Sequence, residues 1–112
     1  MTNINKVMFC GRLARDPDLH ETRTGTPVCN ITLVQNPRVR GEDGRWEDGE
    51  PIFVDAAIWG KRAEVFAKHH RKGHLAYIEG VLRYDRWEDR ETGEKRTKLK
   101  IDADSFEFMP GN

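Results

Sequence analysis

Apolar and polar residues alternate along most of this chain with the period of two expected of half-buried β-strands. The first such stretch is Asn5 to Leu13, NKVMFCGRL, where Gly11 predicts a bulge or a close backbone approach. RDPDL then breaks the pattern, with Asp16 placed to start a turn, and His20 to Pro27 reads as a hairpin loop with Gly25 at the position needing positive φ. Val28 to Gln35 is the second strand, with Cys29, Ile31 and Leu33 predicted to face the core. Asn36 to Pro51 has three glycines, two prolines, many charges and neither period. It reads as a long mobile loop of the functional or disordered kind. Its one large apolar residue, Trp46, is either a foot packed on the body or a platform for a ligand.

Ile52 to Gly60, IFVDAAIWG, is the third strand. Ile52, Val54, Ala56 and Ile58 form its predicted core face, which leaves Phe53, Asp55, Ala57 and Trp59 outside. Two exposed aromatics on one strand face require a reason. Lys61 to Lys72 changes to helical spacing, through Ala63, Phe66, Ala67 and His70, and Gly73 supplies the stop. His74 to Phe108 is a long hairpin: HLAYIEGVLRYDRWED, a turn RETGEK, and RTKLKIDADSFEF. The order is therefore three strands, one helix and two strands. That is the order of the OB-fold, an all-β, five-stranded Greek-key barrel with one helix between strands 3 and 4. A sandwich would want more strands, and a doubly wound fold would want alternating helices and a Gly-rich phosphate loop.

Composition adds bounds. Residues 1–112 make one domain, with 37% apolar and 34% charged residues, long enough to bury a core without staples. No run of about 18 apolar residues is present to span a membrane. The N-terminal MTNINKVMF lacks the basic start and apolar centre of a signal peptide, so a cytoplasmic location is expected. Cys10 and Cys29 read as free, buried thiols. No metal is expected: His69, His70 and His74 have no acid or Cys at ligand spacing, and neighbouring helical histidines point about 100° apart. No cofactor is expected either.

The formal net charge is zero, but its distribution is uneven. Lys61 to His74 carries Lys61, Arg62, Lys68, Arg71 and Lys72 against Glu64 alone, and Val81 to Ile101 is rich in Arg and Lys. No nucleophile elbow, P-loop, H-E-x-x-H or Cys–His pairing is present, so an enzyme is not expected and no catalytic residue is assigned. Single-stranded nucleic acid needs a basic track for phosphates and exposed aromatic faces for bases. Phe53, Trp59 and Trp87 lie on or near strand faces, with Lys61, Arg71, Lys72, Arg83, Arg86, Lys95, Arg96 and Lys98 around them. Core packing is the competing reading for each aromatic taken alone.

The segments NKVMFCGRLARDPDL, GTPVCNITL, WGKRAEVFAKHHRKG and YIEGVLRYDRWEDRETGEK resemble those of bacterial single-stranded DNA-binding proteins in order and spacing. The resemblance runs from Asn5 to about Met109 and is most specific at Gly60–Glu64 and Tyr77–Trp87. It implies an OB-fold subunit of a homotetramer, with dimer as the alternative. Such a protein wraps single-stranded DNA with little sequence preference, in replication, recombination or repair. It implies stacking at Phe53, Trp59 and Trp87, and phosphate contacts at Lys61, Arg71, Lys72 and Arg83.

Three departures stand beside it. Asp55 and Asp85 occupy positions where the family commonly has a basic residue; they should repel phosphate, with Arg86 taking part of the role. A stacking aromatic expected after the second strand has no match near Val39, and Trp46 is the substitute. The 112 residues contain no flexible tail with an acidic tip, so recruitment of repair enzymes through one is not expected; a phage, plasmid or auxiliary member fits that. Two alternatives stay open: a protein-contact OB module resembling primosomal replication protein N, and an OB-barrel nuclease, for which no acid spacing speaks.

Overall fold

The computed structural model describes residues 2–112; Met1, the first residue of the expected domain, lies outside the described residues. The elements are β1 (Val7–Leu13), β2 (Asp18–Glu21), β3 (Pro27–Gln35), β4 (Arg38–Arg40), β5 (Trp46–Asp48), β6 (Ile52–Trp59), α1 (Lys61–His69), β7 (Leu75–Glu88) and β8 (Lys95–Phe108). Five of them close a barrel in the order β1-β7-β8-β6-β3, with β1 returning to pair with β3. All these pairings are antiparallel except β6 with β8. This is the closed Greek-key arrangement of the OB-fold, with the helix between the third and fourth staves.

Closure depends on β1 serving two neighbours. It runs against β7 from Val7 to Arg12 and reaches β3 through Arg12↔Val34 and Leu13↔Leu33. The two strands meet so closely that a Cβ on Gly11 would stand 2.8 Å from the Val34 carbonyl oxygen. The expected close approach is therefore real, and only glycine fits it without a shift. The interior is filled by the inward residues of every stave, including Leu13, Cys29, Ile31, Leu33, Ile58, Ile78 and Ile101. Small residues, Ala56, Ala76 and Ala103, occupy the narrow places.

Helix α1 plugs one end of the barrel with Ala63 and Phe66. It stops at His69, three residues earlier than the spacing predicts, because His70 turns extended (φ −123°, ψ 147°). The His70 ring is buried between Phe66 and Phe108, 3.9 Å and 5.5 Å from their centroids and nearly parallel to both. Its Nδ1–H donates to the Phe66 carbonyl at 3.0 Å. Glu64 lies in the first turn and Lys68 and His69 in the last, which complements the helix dipole.

Two expectations about loops are corrected. His20 and Glu21 are not loop: β2 pairs with β3 from Asp18↔Asn30 to Glu21↔Pro27, leaving a short turn in which the Thr22 hydroxyl accepts from the Thr26 N–H. Asn36 to Pro51 is not structureless either. β4 and β5 form a two-stranded ribbon, Arg38↔Asp48 to Arg40↔Trp46. Arg38 Nη1 bonds Asp48 Oδ1 at 2.9 Å, and the Arg40 guanidinium lies over the Trp46 ring at 5.6 Å. A three-residue strand with both faces exposed has no apolar period to read, so its order comes from these cross-strand contacts.

Beyond Gly80 the β7–β8 hairpin leaves the barrel. No residue is buried from Val81 on β7 until Ile101 on β8. Fourteen-residue strands reach about 45 Å, so the outer half of each projects into solvent. The departure is marked by a register shift at Glu79/Gly80, where β8 carries one extra residue.

Candidate nucleic-acid interface

Strand alternation and register place one set of side chains on the outer face shared by β3, β6, β8 and β7. Along β6 these are Phe53, Asp55, Ala57 and Trp59, and Ala57 is flanked by Asn30 of β3 and Asp102 of β8. Along β8 they continue with Lys100, Lys98 and Arg96, opposite Arg83, Asp85 and Trp87 of β7. Phe53 is 62% exposed, Trp59 47% and Trp87 43%. Core packing, the competing reading for each, does not hold for any of them. Ala57 is the exception on that face: it is buried because its small side chain lies beneath larger neighbours. Ile52, expected inside, is exposed near the end of β6.

The Trp59 and Trp87 rings are held in place by polar contacts. Trp59 Nε1–H donates to Asp102 Oδ1 at 3.3 Å. The Lys98 ammonium stands 5.5 Å from the Trp87 ring centroid. Basic side chains on this face are paired: Arg83 Nε with Asp102 Oδ2 at 2.5 Å, Lys98 Nζ with Asp55 Oδ2 at 2.5 Å, and Lys100 Nζ with Asp85 Oδ2 at 3.9 Å. Asp55 also accepts from the Thr32 hydroxyl at 2.6 Å. Burial is the largest influence on Asp55 and works to raise its pKa. The hydrogen bonds from Lys98 and Thr32, with the charges of Lys98 and Arg15, outweigh it and hold the carboxyl below its ordinary value. Arg15, Asp18, Asn30, Asp55, Asp85, Lys98 and Lys100 line a shallow polar cleft of about 220 Å³ beside the rings.

The other expected site residues scatter. Lys61 opens α1 two residues after Trp59, with no ion-pair partner among the described residues. Arg71 and Lys72 lie past the far end of that helix, about 13 Å along its axis. Arg71 is committed to structure, donating to the Ala67 and His70 carbonyls at 2.9 and 2.7 Å, and the Lys72 N–H bonds Asp16 Oδ1 at 2.8 Å. Arg96 pairs with Asp89 at 3.2 Å. Arg86 is on the opposite face of the hairpin, its guanidinium 5.3 Å from the Tyr84 ring centroid, and Lys95 shares that side, across from Glu88. Trp46 is 59% exposed on the separate β4–β5 ribbon, so it is no foot on the body. The face also includes Lys100, and the cleft Arg15; neither belongs to the expected set, although the alternation Arg96, Lys98, Lys100 was signal enough for the first.

Residues 4–109 match the family model described as the single-strand binding protein family. The chain belongs to this family. It is 36% identical over 109 residues to the single-stranded DNA-binding protein of Borreliella burgdorferi, covering 97% of this chain and 72% of that one. It is 36% identical over 107 residues to single-stranded DNA-binding protein 1 of a Synechocystis strain, covering 96% and 84%. Among solved structures it is similar to a deletion mutant of the single-stranded DNA binding protein from Thermus aquaticus, with a TM-score of 0.81 at 27% identity. That match covers 96% of this chain and 51% of the other, so the chain spans about half of that protein. Family membership covers the barrel, the ribbon and the long hairpin alike, since the matched residues include all of them.

The three histidines considered for a metal, His69, His70 and His74, are engaged locally. His69 Nδ1–H donates to the Val65 carbonyl at 2.9 Å, His70 is stacked as described, and His74 Nδ1 accepts from the Arg71 N–H at 3.1 Å. Among the described residues no three His, Cys, Asp or Glu side chains converge on a point.

Proposed function

We propose that the chain binds and protects single-stranded DNA with little sequence preference, in replication, recombination or repair. Bases stack on Phe53, Trp59 and Trp87, and phosphates meet Lys61, Arg83, Lys98 and Lys100. The observation that carries this reading is the row of exposed aromatics, Phe53, Trp59 and Trp87, on an outer face that also carries Arg83, Lys98 and Lys100. Aromatic faces accept any unpaired base, and stacking contributes about 1–3 kcal/mol per base. A paired duplex hides its base faces, so the same surface discriminates against it. Trp46, steadied by Arg40 on the ribbon, extends the platform beyond the barrel. Arg86, Lys95 and Arg96 on the projecting hairpin serve a strand that wraps around its edge.

The family match and the names of the relatives support this reading over a protein-contact module, which would leave the aromatic row without a role. We read the chain as a binding protein and not an enzyme. We also read it as a homo-oligomer, a tetramer, working in the cytoplasm. Exposed Met8, Leu82, Tyr84 and Leu99 lie away from the aromatic face and are available for contacts between copies. Among the described residues no helix is long and apolar enough to cross a membrane.

Fluorescence anisotropy with a labelled single-stranded oligonucleotide, competed by unlabelled single strand or by the matching duplex, tests the reading. Competition by single strand at much lower concentration than duplex is expected. Equal competition, or no binding at low salt, refutes it. Sedimentation of the free protein at four times the chain mass tests the tetramer.

A further inference from the structure

The face assigned to single-stranded DNA contains its own anions. Asp55, Asp85 and Asp102 each meet one of the cations there: Lys98 at 2.5 Å, Lys100 at 3.9 Å and Arg83 at 2.5 Å. Two of the carboxylates are fixed by a second bond from a neighbouring stave. Asp55 accepts from the Thr32 hydroxyl at 2.6 Å, and Asp102 from the Trp59 indole N–H at 3.3 Å. The cations sit at the ends of long stems on the projecting hairpin, and Arg83 and Lys98 keep much of their side chains in solvent. In the Asp55–Lys98 and Asp102–Arg83 pairs, then, the carboxylate is the fixed member and the cation is the one free to swing. Lys100 is instead the more buried member of its pair with Asp85, and it also donates to Asn30 Oδ1 at 2.9 Å. Two of the pairs also stand against the rings: Lys98 over Trp87, Asp102 on Trp59.

We propose that Asp55, Asp85 and Asp102 are intramolecular stand-ins for phosphate: they hold Lys98, Lys100 and Arg83 over the stacking surface, and an arriving strand must exchange its phosphates for them. The proposal rests on the single-stranded DNA reading and concerns how that site is set. Its physical content is a charge balance. A cation shared between a carboxylate and a phosphate leaves one negative charge uncompensated, and a solution cation stays with it. The three cations therefore release few of the counterions condensed on the strand. Binding is then dominated by stacking, and its salt dependence is shallower than the number of basic residues on the face implies. Each phosphate fully neutralised on a single strand steepens the slope of log affinity against log salt by about 0.7, so three masked cations hide about two.

The test compares the unaltered protein with the Asp55→Asn, Asp85→Asn, Asp102→Asn triple variant. Asparagine keeps the shape and the acceptor oxygen but not the charge. Oligo-dT affinity is measured from 50 to 200 mM salt. The expected result is tighter binding by the variant at 50 mM and a slope steeper by about two, so that its advantage shrinks about 20-fold by 200 mM. Asp85→Asn alone, at the one carboxylate without a second anchor, should steepen the slope by about 0.7, and it decides the matter if the triple variant is poorly folded. Equal slopes and affinities in the two proteins, or weaker binding by folded variants, overturn the proposal while leaving the DNA reading intact. Absence of binding by the unaltered protein overturns both.

Discussion

Gly80→Ala should be among the most damaging single-methyl changes available to this protein. Gly80 stands where β7 crosses from the barrel to the projecting hairpin, at the register shift against β8. A Cβ there would lie 2.0 Å from the Asp102 carbonyl oxygen, 2.7 Å from its carbon and 2.8 Å from the Ala103 Cα. All three are backbone atoms, so no side chain can swing aside, and relief requires parting β7 from β8. Overpacking of a close-packed interior costs about 1–3 kcal/mol, and a clash with backbone belongs at the upper end. For a chain of this size about 3 kcal/mol lowers Tm by about 10–15 °C. Parting the strands also separates Arg83 from Asp102 and moves the hairpin that carries Trp87, so affinity for oligo-dT should fall even well below Tm. Circular dichroism melts with and without oligo-dT measure both effects. A variant that melts within about 3 °C of the unaltered protein would refute the close-crossing account of Gly80.

Removing Trp59 or Trp87 by substitution to Ala should each weaken oligo-dT binding by about 5- to 150-fold, the equivalent of one stacked base, and by more than Trp46→Ala on the ribbon; a titration series in which Trp46→Ala costs most would move the platform off the barrel. Burial, only partly opposed by the bond to the Phe66 carbonyl, holds His70 below its ordinary value of 6.5. The unfolded chain therefore binds this proton more readily than the folded one. The stability from neutral His70 is present in full above about pH 6.5 and is lost as pH falls through the folded value, at no more than about 1.4 kcal/mol per pH unit. Melts at pH 7.5 and 5.5 should show this loss, and a His70→Phe variant with the same loss would contradict it. Burial and the nearby Asp18 charge push the Cys29 thiol up to about 11, so a thiol reagent at pH 8 should leave Cys29 untouched until the chain unfolds and reach only half-buried Cys10. Rapid modification of both thiols in the folded protein would be the contrary result.

The parts of the molecule with a clean period were legible in the chain. Cys29, Ile31 and Leu33 inside, and Phe53 and Trp59 outside, follow from alternation alone, because one face of each strand had to be buried. Elements that bury little left no such trace. The β4–β5 ribbon is ordered by Arg38–Asp48 and Arg40–Trp46 contacts, which look in sequence like any polar loop. Asp18 to Glu21 reads as turn because the strand is exposed throughout. Within the site, the sequence shows which residues are basic but not which way they point or what they meet. Arg86 and Lys95 are one residue out of phase with the aromatic face, and Arg71 is spent on the end of the helix. Asp55 and Asp85 looked like flaws in a basic track. The structure shows them paired with Lys98 and Lys100, a relation set by register between β6, β7 and β8 that no local pattern encodes.

The central claim is that exposed aromatics on the barrel face take unpaired bases. Intrinsic tryptophan fluorescence during titration with oligo-dT at low salt reads it most directly, since Trp46, Trp59 and Trp87 are the three tryptophans of the chain and all are exposed. The account predicts strong, saturable quenching by the single strand, most of it lost in a Trp59→Phe, Trp87→Phe variant, and little quenching by duplex of the same length. Unchanged fluorescence on adding oligo-dT, or equal quenching by single strand and duplex, would contradict it.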